Sequence, residues 1–459
     1  MMDSLWAIIL AAGKGTRFKS NQVKVLHPLL GWPMLKWVLE AVSGLEAEKI
    51  CVVVGYQKEQ VKKEIKSQKV EFIHQKKQLG TAHAVLSAKD FIKHDLSQDI
   101  LIINGDLPLI RTETLQPLVE KHKQSGNELT FMSAEMTDPT GFGRLNYGSK
   151  GTLRIVEEKE ATKQQKKIKE ANVGIYIFKA QALMETLPKI SNDNNKGEYY
   201  ITDAVEILSK ESKKVGVHQT QNIEEIIGVN DRFEMALAAK KLRTRKIKDL
   251  TSQGVTFYDP ESTWIDADVS IGKDTVIYPS VVLEGKTVIG KECKIFPSVH
   301  IIQSRLKNGV KILTSTMIEE SLIEDHVQVG PFAHLRRETV LKKGSKVGNF
   351  VEMKKTVFGE KSKAGHLSYL GDCEVGKEVN IGAGTITCNY DGRKKHRTEI
   401  KDGAFIGSGV QLVAPLKIGK KAYIGAGSTI TKDVSAYSLA VERSPQKQRK
   451  EWVKKKIQK

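Results

Sequence analysis

Cysteine is scarce in this chain, with four in 459 residues. Cys51, Cys293, Cys373 and Cys388 are scattered without any CxxC spacing, which indicates neither a disulfide framework nor a zinc site. Long apolar runs are missing too. The opening stretch from Leu5 to Ala12 is too short for an export signal, follows Asp3 and lacks a basic leader. No run could span a bilayer, so no membrane insertion is expected and the reducing cytoplasm is the expected location. Acidic residues are outnumbered: 73 Lys and Arg against 54 Asp and Glu give a net charge of +19. Such a balance can signal nucleic acid. Much of the basicity is diffuse lysine, however, and the densest run, Lys447 to Lys459, holds Trp452 as its one aromatic, without the interleaved rings of a nucleic-acid groove. No nucleic-acid partner is expected, and pockets for small anionic substrates account for the charge equally well.

What the chain does have is a period of six. Apolar side chains stand at Ile265, Ile271, Ile277, Leu283, Ile289, Ile295 and Ile301, a spacing that neither a helix nor a single strand generates. A second comb runs through Ile323, Val329, Leu335, Leu341, Val347 and Met353, and a third through Ile400, Ile406, Leu412, Ile418, Ile424 and Ile430. Gly272, Gly290, Gly407, Gly419 and Gly425 each follow the aliphatic residue, where they are expected to permit a backbone conformation that a Cβ resists. Each hexad reads as one short strand and a turn; three hexads close a triangular coil, and coils stack at about 4.8 Å. A β-sandwich does not hold one period over so many steps. Period alone leaves the hand of the coil open.

The N-terminal half has a different organisation. A buried-strand run, Leu5 to Ala12, feeds a loop of Gly13, Lys14, Gly15, Thr16 and Arg17, with Lys24 following in KVLHPL. Backbone N–H groups and cations in such a loop suit a phosphate, although the spacing is neither the P-loop nor the dinucleotide fingerprint, and a tight turn fits it as well. Strands at Ile50 to Val54, Val70 to His74 and Asp99 to Ile103, separated by helix-length segments, predict a mostly parallel sheet with ligands at the strands' carboxyl ends. Gln75, Gln78, Gly80 and Thr81 form a polar turn suited to the edge of a base, and Asp106 in IINGD lies where a carboxylate can bind Mg²⁺, although alone it reads better as a turn or helix-capping residue. DPTGFGR (Asp138 to Arg144) follows as a Gly-rich turn, then Glu157 after a short apolar strand, Asn172 at the head of another strand (NVGIYIF), GEYYITD (Gly197 to Asp203), and Asn230 in IIGVND, expected at a strand end. The segment from Asp231 to Gln253 reads as one Lys/Arg-rich helix stopped by Gly254.

LAAGKGTR with Lys24, QLGTAHA, NGD, TGFGR, VEEKEA, GEYYITD and GVN occur in the order seen in sugar-1-phosphate nucleotidyltransferases. With the hexapeptide region and its NFVEMKK, SKAGHLSYLGD and NIGAGTITCNYDG segments, the chain over about residues 5 to 445 resembles the bacterial bifunctional enzymes that are both glucosamine-1-phosphate N-acetyltransferase and N-acetylglucosamine-1-phosphate uridylyltransferase. The resemblance implies an α/β nucleotidyltransferase domain with a Rossmann-like mixed sheet (1–230), a linker helix (231–254), a left-handed parallel β-helix acetyltransferase domain of hexapeptide repeats (255–445) and a basic tail (446–459).

The same resemblance implies acetyl transfer from acetyl-CoA to the amine of glucosamine 1-phosphate. Uridylyl transfer from UTP to the acetylated sugar phosphate follows, in the service of UDP-N-acetylglucosamine synthesis for the cell wall. It implies nucleotide and sugar contacts at Leu10, Ala11, Ala12, Gly13, Arg17, Lys24, Gln75, Gly80, Thr81, Gly143, Glu157, Asn172 and Asn230, with Mg²⁺ on Asp106 and Asn230. His366 becomes the base that takes the amine proton, whereas a lone His on a solenoid turn is ordinarily structural. We expect Glu352 to orient its imidazole. Arg336, Lys354, Tyr369 and Asn380 are implied to hold the sugar phosphate, and Ala383, Asn389, Tyr390, Ser408, Ala426 and Arg443 to line the acetyl-CoA site, with Asn389 also implied in fixing the sugar. The excursion from Thr387 to Glu399 is expected to reach a neighbouring copy in a homotrimer. Asn104, Val173 and the HLRR segment from His334 to Arg337 depart from the family's usual residues. Two alternatives share the build: a relative acting on another sugar or nucleotide, and a non-catalytic regulatory protein such as subunits of the eukaryotic translation-initiation exchange factor. The joint presence of Asp106, Asn230 and His366 disfavours the second, and GEYYITD with the set from NFVEMKK to CNYDG the first.

Overall fold

The structure, a computed structural model, describes residues 4–65, 69–148 and 152–457. Asp3 and the last two residues of the basic tail lie outside the described residues. The chain divides into two compact units, 1–242 and 243–459. The division falls inside one long helix, Arg232–Ser252, which begins and ends one residue inside the segment expected from sequence.

The first unit is built on a mixed sheet. Its strand order is Val215–Gln219, Leu129–Glu135, Glu170–Lys179, Asp99–Asn104, Leu5–Ala11, Lys49–Val54 and Val70–His74, with Gly143–Tyr147 and Leu153–Val156 off that path. Glu170–Lys179 runs antiparallel to both of its neighbours on the path, and the remaining neighbours on it pair in parallel. Leu5–Ala11 is central and buried on both faces, which is why it reads as an unbroken apolar run. Its register sets Leu10 opposite Asn104, and the Gly105 N–H donates to the Leu10 carbonyl at 2.9 Å. The loops leaving these two strands therefore start side by side at the carboxyl edge of the sheet, where the connections diverge to opposite sides and a crevice opens.

The second unit is a three-sided parallel β-helix. Among the described residues its strands form three sheets of eleven, ten and nine, each strand pairing with the one a full coil later, as Trp264 with Val282 and Ser270 with Val288. Every residue of the three combs points inward, and nearly all are fully buried. The combs are one series with slips. Between Ile301 and Leu306, Ile318 and Ile323, Met353 and Phe358, and Leu370 and Val375 the step is one residue short of a hexad, always on passing from the second sheet to the third. That shortening throws a strict six-residue count out of phase.

The hexad glycines act differently from the sequence expectation. Gly272, Gly290, Gly407, Gly419 and Gly425 are absent from the left-handed region, where non-glycine turn residues such as Asp274, Ser280, Glu292 and Ser298 stand. Their requirement is space. A Cβ on Gly272 would lie 2.7 Å from the Gly290 carbonyl carbon, and one on Gly407 2.6 Å from the Ala426 nitrogen, so the coils could not close to strand-pairing distance there. One insertion, 389–397, leaves between the strands Ile386–Cys388 and Thr398–Ile400.

Candidate active sites

At the carboxyl edge of the first unit's sheet lies a cleft of about 480 Å³ lined by residues 10–17, Lys24, Gln75, Gln78, Gly80, Thr81, Asn104, Asp106, Glu198 and Tyr200, among others. The short turn Thr16–Phe18 and the turn Lys24–Leu26 carry the cations Arg17 and Lys24 to its rim. Lys24 Nζ lies 2.6 Å from Asp106 Oδ2 and 3.2 Å from Asn230 Oδ1, and Arg17 donates to the same Asn230 oxygen at 2.9 Å. Two oxygens whose residues lie far apart in sequence thus face one cationic position. The Val229 N–H donates to the Asp106 carbonyl at 2.9 Å, which ties the loop after Asp99–Asn104 to the segment before the long helix. Asn230 thus lies between the turn Ile223–Glu225 and the helix Arg232–Ser252 and not at a strand end, because the described residues there form no strand. One carboxylate and one amide oxygen facing the same position is a donor set that suits a hard divalent cation.

The base-edge residues gather as a unit. Gln75 is buried, and its side-chain nitrogen donates to the Gly80 carbonyl at 3.2 Å, while the Ile201 N–H donates to Thr81 Oγ1 at 3.0 Å. Gly80 has φ of 110°, and a Cβ there would meet the Tyr199 carbonyl oxygen at 2.4 Å, so only glycine lets GEYYITD close over this turn. Gly143, Glu157 and Asn172 form a second group outside the residues that line the cleft. Gly143 pairs with Asn172 across the ladder, and its missing Cβ would stand 3.8 Å from Glu157 Oε1. Asn172 donates to the Tyr176 hydroxyl at 2.7 Å, and Thr202 donates to Glu157 at 3.1 Å. Burial pushes the Glu157 carboxyl up.

Asp203, the first residue of the helix Asp203–Lys210, is pushed up to about 6 by burial, then by Glu160 and Glu157. The folded chain holds that proton more tightly than the unfolded chain, whose carboxyl titrates near 3.8, so Asp203 costs stability progressively as pH rises from about 4 to about 6. Asp203→Asn is therefore expected to melt above the parent at pH 8, with the difference vanishing below pH 4. A thermal melt series across that range measures it.

In the second unit, stacking decides which side chains meet. Lys354 and Tyr369 stand on strands of the second sheet, Glu352–Lys354 and Tyr369–Gly371, and Arg336 directly follows a third, His334–Leu335. Arg336 Nη1 donates to Glu352 Oε1 at 2.8 Å, and that carboxylate raises the Arg336 pKa. Lys354 is held below the usual lysine range by Lys395 first and Arg336 second, so three cations share this face. Lys395 escaped the sequence reading; the GRKKHR run of the insertion was its signal. The tips of Tyr369 and Asn389 meet above Gly371, where a Cβ would lie 2.4 Å from the Tyr369 hydroxyl and 2.6 Å from Asn389 Nδ2. Asn389 also donates to Asp372 at 2.6 Å.

His366 and Asn380 belong to neighbouring strands of the first sheet, Lys363–His366 and Asn380–Ile381. His366 is exposed, and Nδ1 lies 2.5 Å from Asn349 Oδ1. Glu352 does not orient it. Glu352 stacks one coil beneath Tyr369, and Asn349 one coil beneath His366, so the expected carboxylate partner is given to Arg336 instead.

Ala383, Ser408 and Ala426 form a column on successive coils. The Gly409 N–H donates to the Ala383 carbonyl at 2.7 Å, the Gly427 N–H to that of Ser408 at 2.8 Å, and Arg443 to that of Ala426 at 2.7 Å. Tyr390 is not in this column. It lies in the insertion, 61% exposed, with its hydroxyl donating to Gly392 at 2.7 Å. The insertion is braced by Asp391, which accepts from the N–H groups of Arg393 and Lys394 and from His396, and its carboxyl is held down at about 2, chiefly by the Lys394 N–H.

The mixed sheet with its cationic cleft and the hexapeptide coil with an exposed histidine define a two-part transferase, a nucleotidyltransferase joined to an acyltransferase. The family models agree: Nucleotidyl transferase matches residues 6–266, GMPPB C-terminal domain residues 261–361, and Bacterial transferase hexapeptide (six repeats) residues 397–432. The chain is 50% identical to Bifunctional protein GlmU of Thermotoga maritima over 451 residues, 98% of this chain and 99% of that protein. It is 47% identical to Bifunctional protein GlmU of Caldanaerobacter subterraneus over 459 residues, 100% of this chain and 99% of that protein. The chain belongs to the GlmU family of bifunctional nucleotidyltransferase and acetyltransferase enzymes. The coil is accordingly the left-handed β-helix of hexapeptide transferases. Among the described residues, no helix is long and apolar enough to cross a membrane.

Proposed function

We propose that this protein acetylates glucosamine 1-phosphate with acetyl-CoA and then joins the product to the uridylyl group of UTP, releasing pyrophosphate and forming UDP-N-acetylglucosamine. The observation that carries the reading is the meeting of Lys24, Arg17, Asp106 and Asn230 at one cationic position in a nucleotidyltransferase cleft.

Uridylyl transfer needs no nucleophile from the protein, because an oxygen of the sugar phosphate attacks the α-phosphorus of UTP while the bond to pyrophosphate breaks. What the chain supplies is alignment and neutralisation of charge. Arg17 and Lys24 hold phosphate oxygens, Gln75, Gly80 and Thr81 face the uracil edge, and Gly143, Glu157 and Asn172 face the amino sugar. Mg²⁺ on Asp106 and Asn230 supplies further neutralisation of the phosphates. In the second unit Arg336 and Lys354 hold the sugar phosphate, with Tyr369, Asn380 and Asn389 about the sugar. His366 takes a proton from the amine, the amine nitrogen bonds to the thioester carbonyl carbon, the C–S bond breaks, and a second proton from the nitrogen goes to the sulfur, which leaves as the coenzyme thiol. Acetyl-CoA lies along Ala383, Ser408 and Ala426, with Tyr390 and Arg443 at its flanks. The insertion carrying Asn389, Tyr390 and Lys395 reaches an adjacent copy in a cytoplasmic homotrimer, so that each acetyl site is shared.

Two assays on the full chain test this. Acetyl-CoA with glucosamine 1-phosphate should release thiol, and UTP with N-acetylglucosamine 1-phosphate should release pyrophosphate. Excess EDTA should abolish the second and spare the first, with recovery on adding Mg²⁺. Thiol release that also collapses in EDTA, or pyrophosphate release that persists, would count against the reading.

A further inference from the structure

The strand Lys346–Asn349 and the strand Lys363–His366 lie in register one coil apart, Lys346 beside Lys363, Val347 beside Ala364 and Asn349 beside His366. They approach closely: a Cβ on Gly348 would fall 1.9 Å from the Gly365 carbonyl oxygen, so glycine here lets the two backbones pack down immediately before the paired side chains. The Leu367 N–H donates to the Asn349 carbonyl at 3.0 Å, and Ser368 Oγ donates to the His366 carbonyl at 2.9 Å, which fixes the backbone on the far side of the pair. In a parallel sheet, side chains one strand apart on the same face stand about 4.8 Å apart at their roots, close enough for a side-chain amide and an imidazole to bond directly.

We propose that Asn349 is the positioning residue of the acetylation base: its side-chain oxygen holds the proton on His366 Nδ1 and so leaves Nε2 as the free acceptor that faces substrate. The 2.5 Å contact from Nδ1 to Asn349 Oδ1 carries this. An amide oxygen accepts only, so the ring nitrogen it touches must be the protonated one in the neutral imidazole. The amide keeps the ring in a single tautomer and rotamer without adding a negative charge beside it. The charged side chains on the two paired strands are Lys346 and Lys363, both exposed. Nothing in these strands replaces the amide: the one nearby carboxylate expected from sequence, Glu352, is bonded to Arg336.

The inference rests on His366 being the base, and the test separates the two. Full-length protein carrying Asn349→Leu, Asn349→Asp, Asn349→Gln or His366→Ala is assayed for thiol release over a range of pH, with pyrophosphate release as the control for an intact chain. Asn349→Leu is expected to lower kcat for acetylation at least about tenfold with little change in KM, less than the roughly 10²- to 10⁴-fold loss on removing the base itself. Asn349→Asp keeps an acceptor at the same reach, so it should recover much of kcat and move the acid limb of the profile to higher pH, since a carboxylate favours the protonated ring. Asn349→Gln, with its oxygen displaced by one methylene, should not recover. A proton-detected NMR spectrum of the histidine ring should show the Nδ1 proton in the parent and its loss or exchange broadening in Asn349→Leu. Unchanged kcat and unchanged pH profile in Asn349→Leu, with His366→Ala inactive, would overturn the positioning role alone. An active His366→Ala would overturn the reading beneath it.

Discussion

His366→Ala should lose acetylation almost completely while uridylylation continues at the parent rate. An amine is an ammonium in water near neutral pH and cannot attack a thioester until a proton leaves, so the step depends on a neutral acceptor held at the nitrogen. Removing that acceptor is expected to lower kcat for thiol release by about 10²- to 10⁴-fold, or roughly 3–5 kcal/mol of barrier. The ring is exposed and leaves no cavity when cut back, and its backbone is fixed by the ladder and not by the side chain, so the coil should fold normally. KM should change little, since Arg336, Lys354 and Tyr369 on or next to the adjacent sheet are untouched. Both half-reactions are followed on one preparation, as thiol release and pyrophosphate release. Loss of both in a folded protein would show that the two units do not work independently.

The hexapeptide coil was legible because one position in each strand enters a narrow core and is filled almost always by an aliphatic residue; hence the comb from Ile265 to Ile301 stood out from spacing alone. The breaks in that series were not legible. A step one residue short of a hexad, as from Ile301 to Leu306, resembles the end of a repeat when only spacing is counted, yet the coil continues through it. Side-chain partners in the coil follow from its length per turn. His366 meets Asn349 because the two stand one coil apart, whereas Glu352 is in register with Tyr369; the general logic of a base with an orienting carboxylate carries no information about which residues stack, and so misassigned Glu352. In the first unit the strands Val70–His74 and Asp99–Asn104 were visible as apolar runs between helical segments. The strand Glu170–Lys179 was visible too, as the apolar run NVGIYIF headed by Asn172, but its antiparallel place between two distant strands was not, since such pairing leaves no local mark. The meeting of Asp106 with Asn230 had to come from motif resemblance for the same reason: no periodicity relates residues on loops so far apart.

Asp106→Ala is the complementary change, and its expected effect on uridylylation is as large. The carboxylate is the only full negative charge among the polar groups bonded to Lys24 Nζ, the other being the neutral amide oxygen of Asn230. Without it, the cationic position is left with one neutral oxygen, too weak a donor set for a divalent cation that holds its water tightly. Lys24 and Arg17, which both donate to Asn230, would then repel each other with no carboxylate to offset it. Loss of one preorganised electrostatic contact at a transferring phosphoryl group is expected to lower kcat for pyrophosphate release by about 10²- to 10³-fold. The ion pair is partly exposed, at 12% and 27% for the two side chains, so the cost in stability should stay near 1 kcal/mol or below, and a melting curve separates that from the catalytic loss. Asp106→Asn keeps the shape and an oxygen but removes the charge; added Mg²⁺ should restore part of its activity and none of the alanine variant's. Thiol release should be unchanged in both. If Asp106→Ala retained full pyrophosphate release at low Mg²⁺, the cation would have to be held elsewhere in the cleft, and the contact of Asp106 with Lys24 would be a structural tie between the turn Lys24–Leu26 and the loop after Asp99–Asn104.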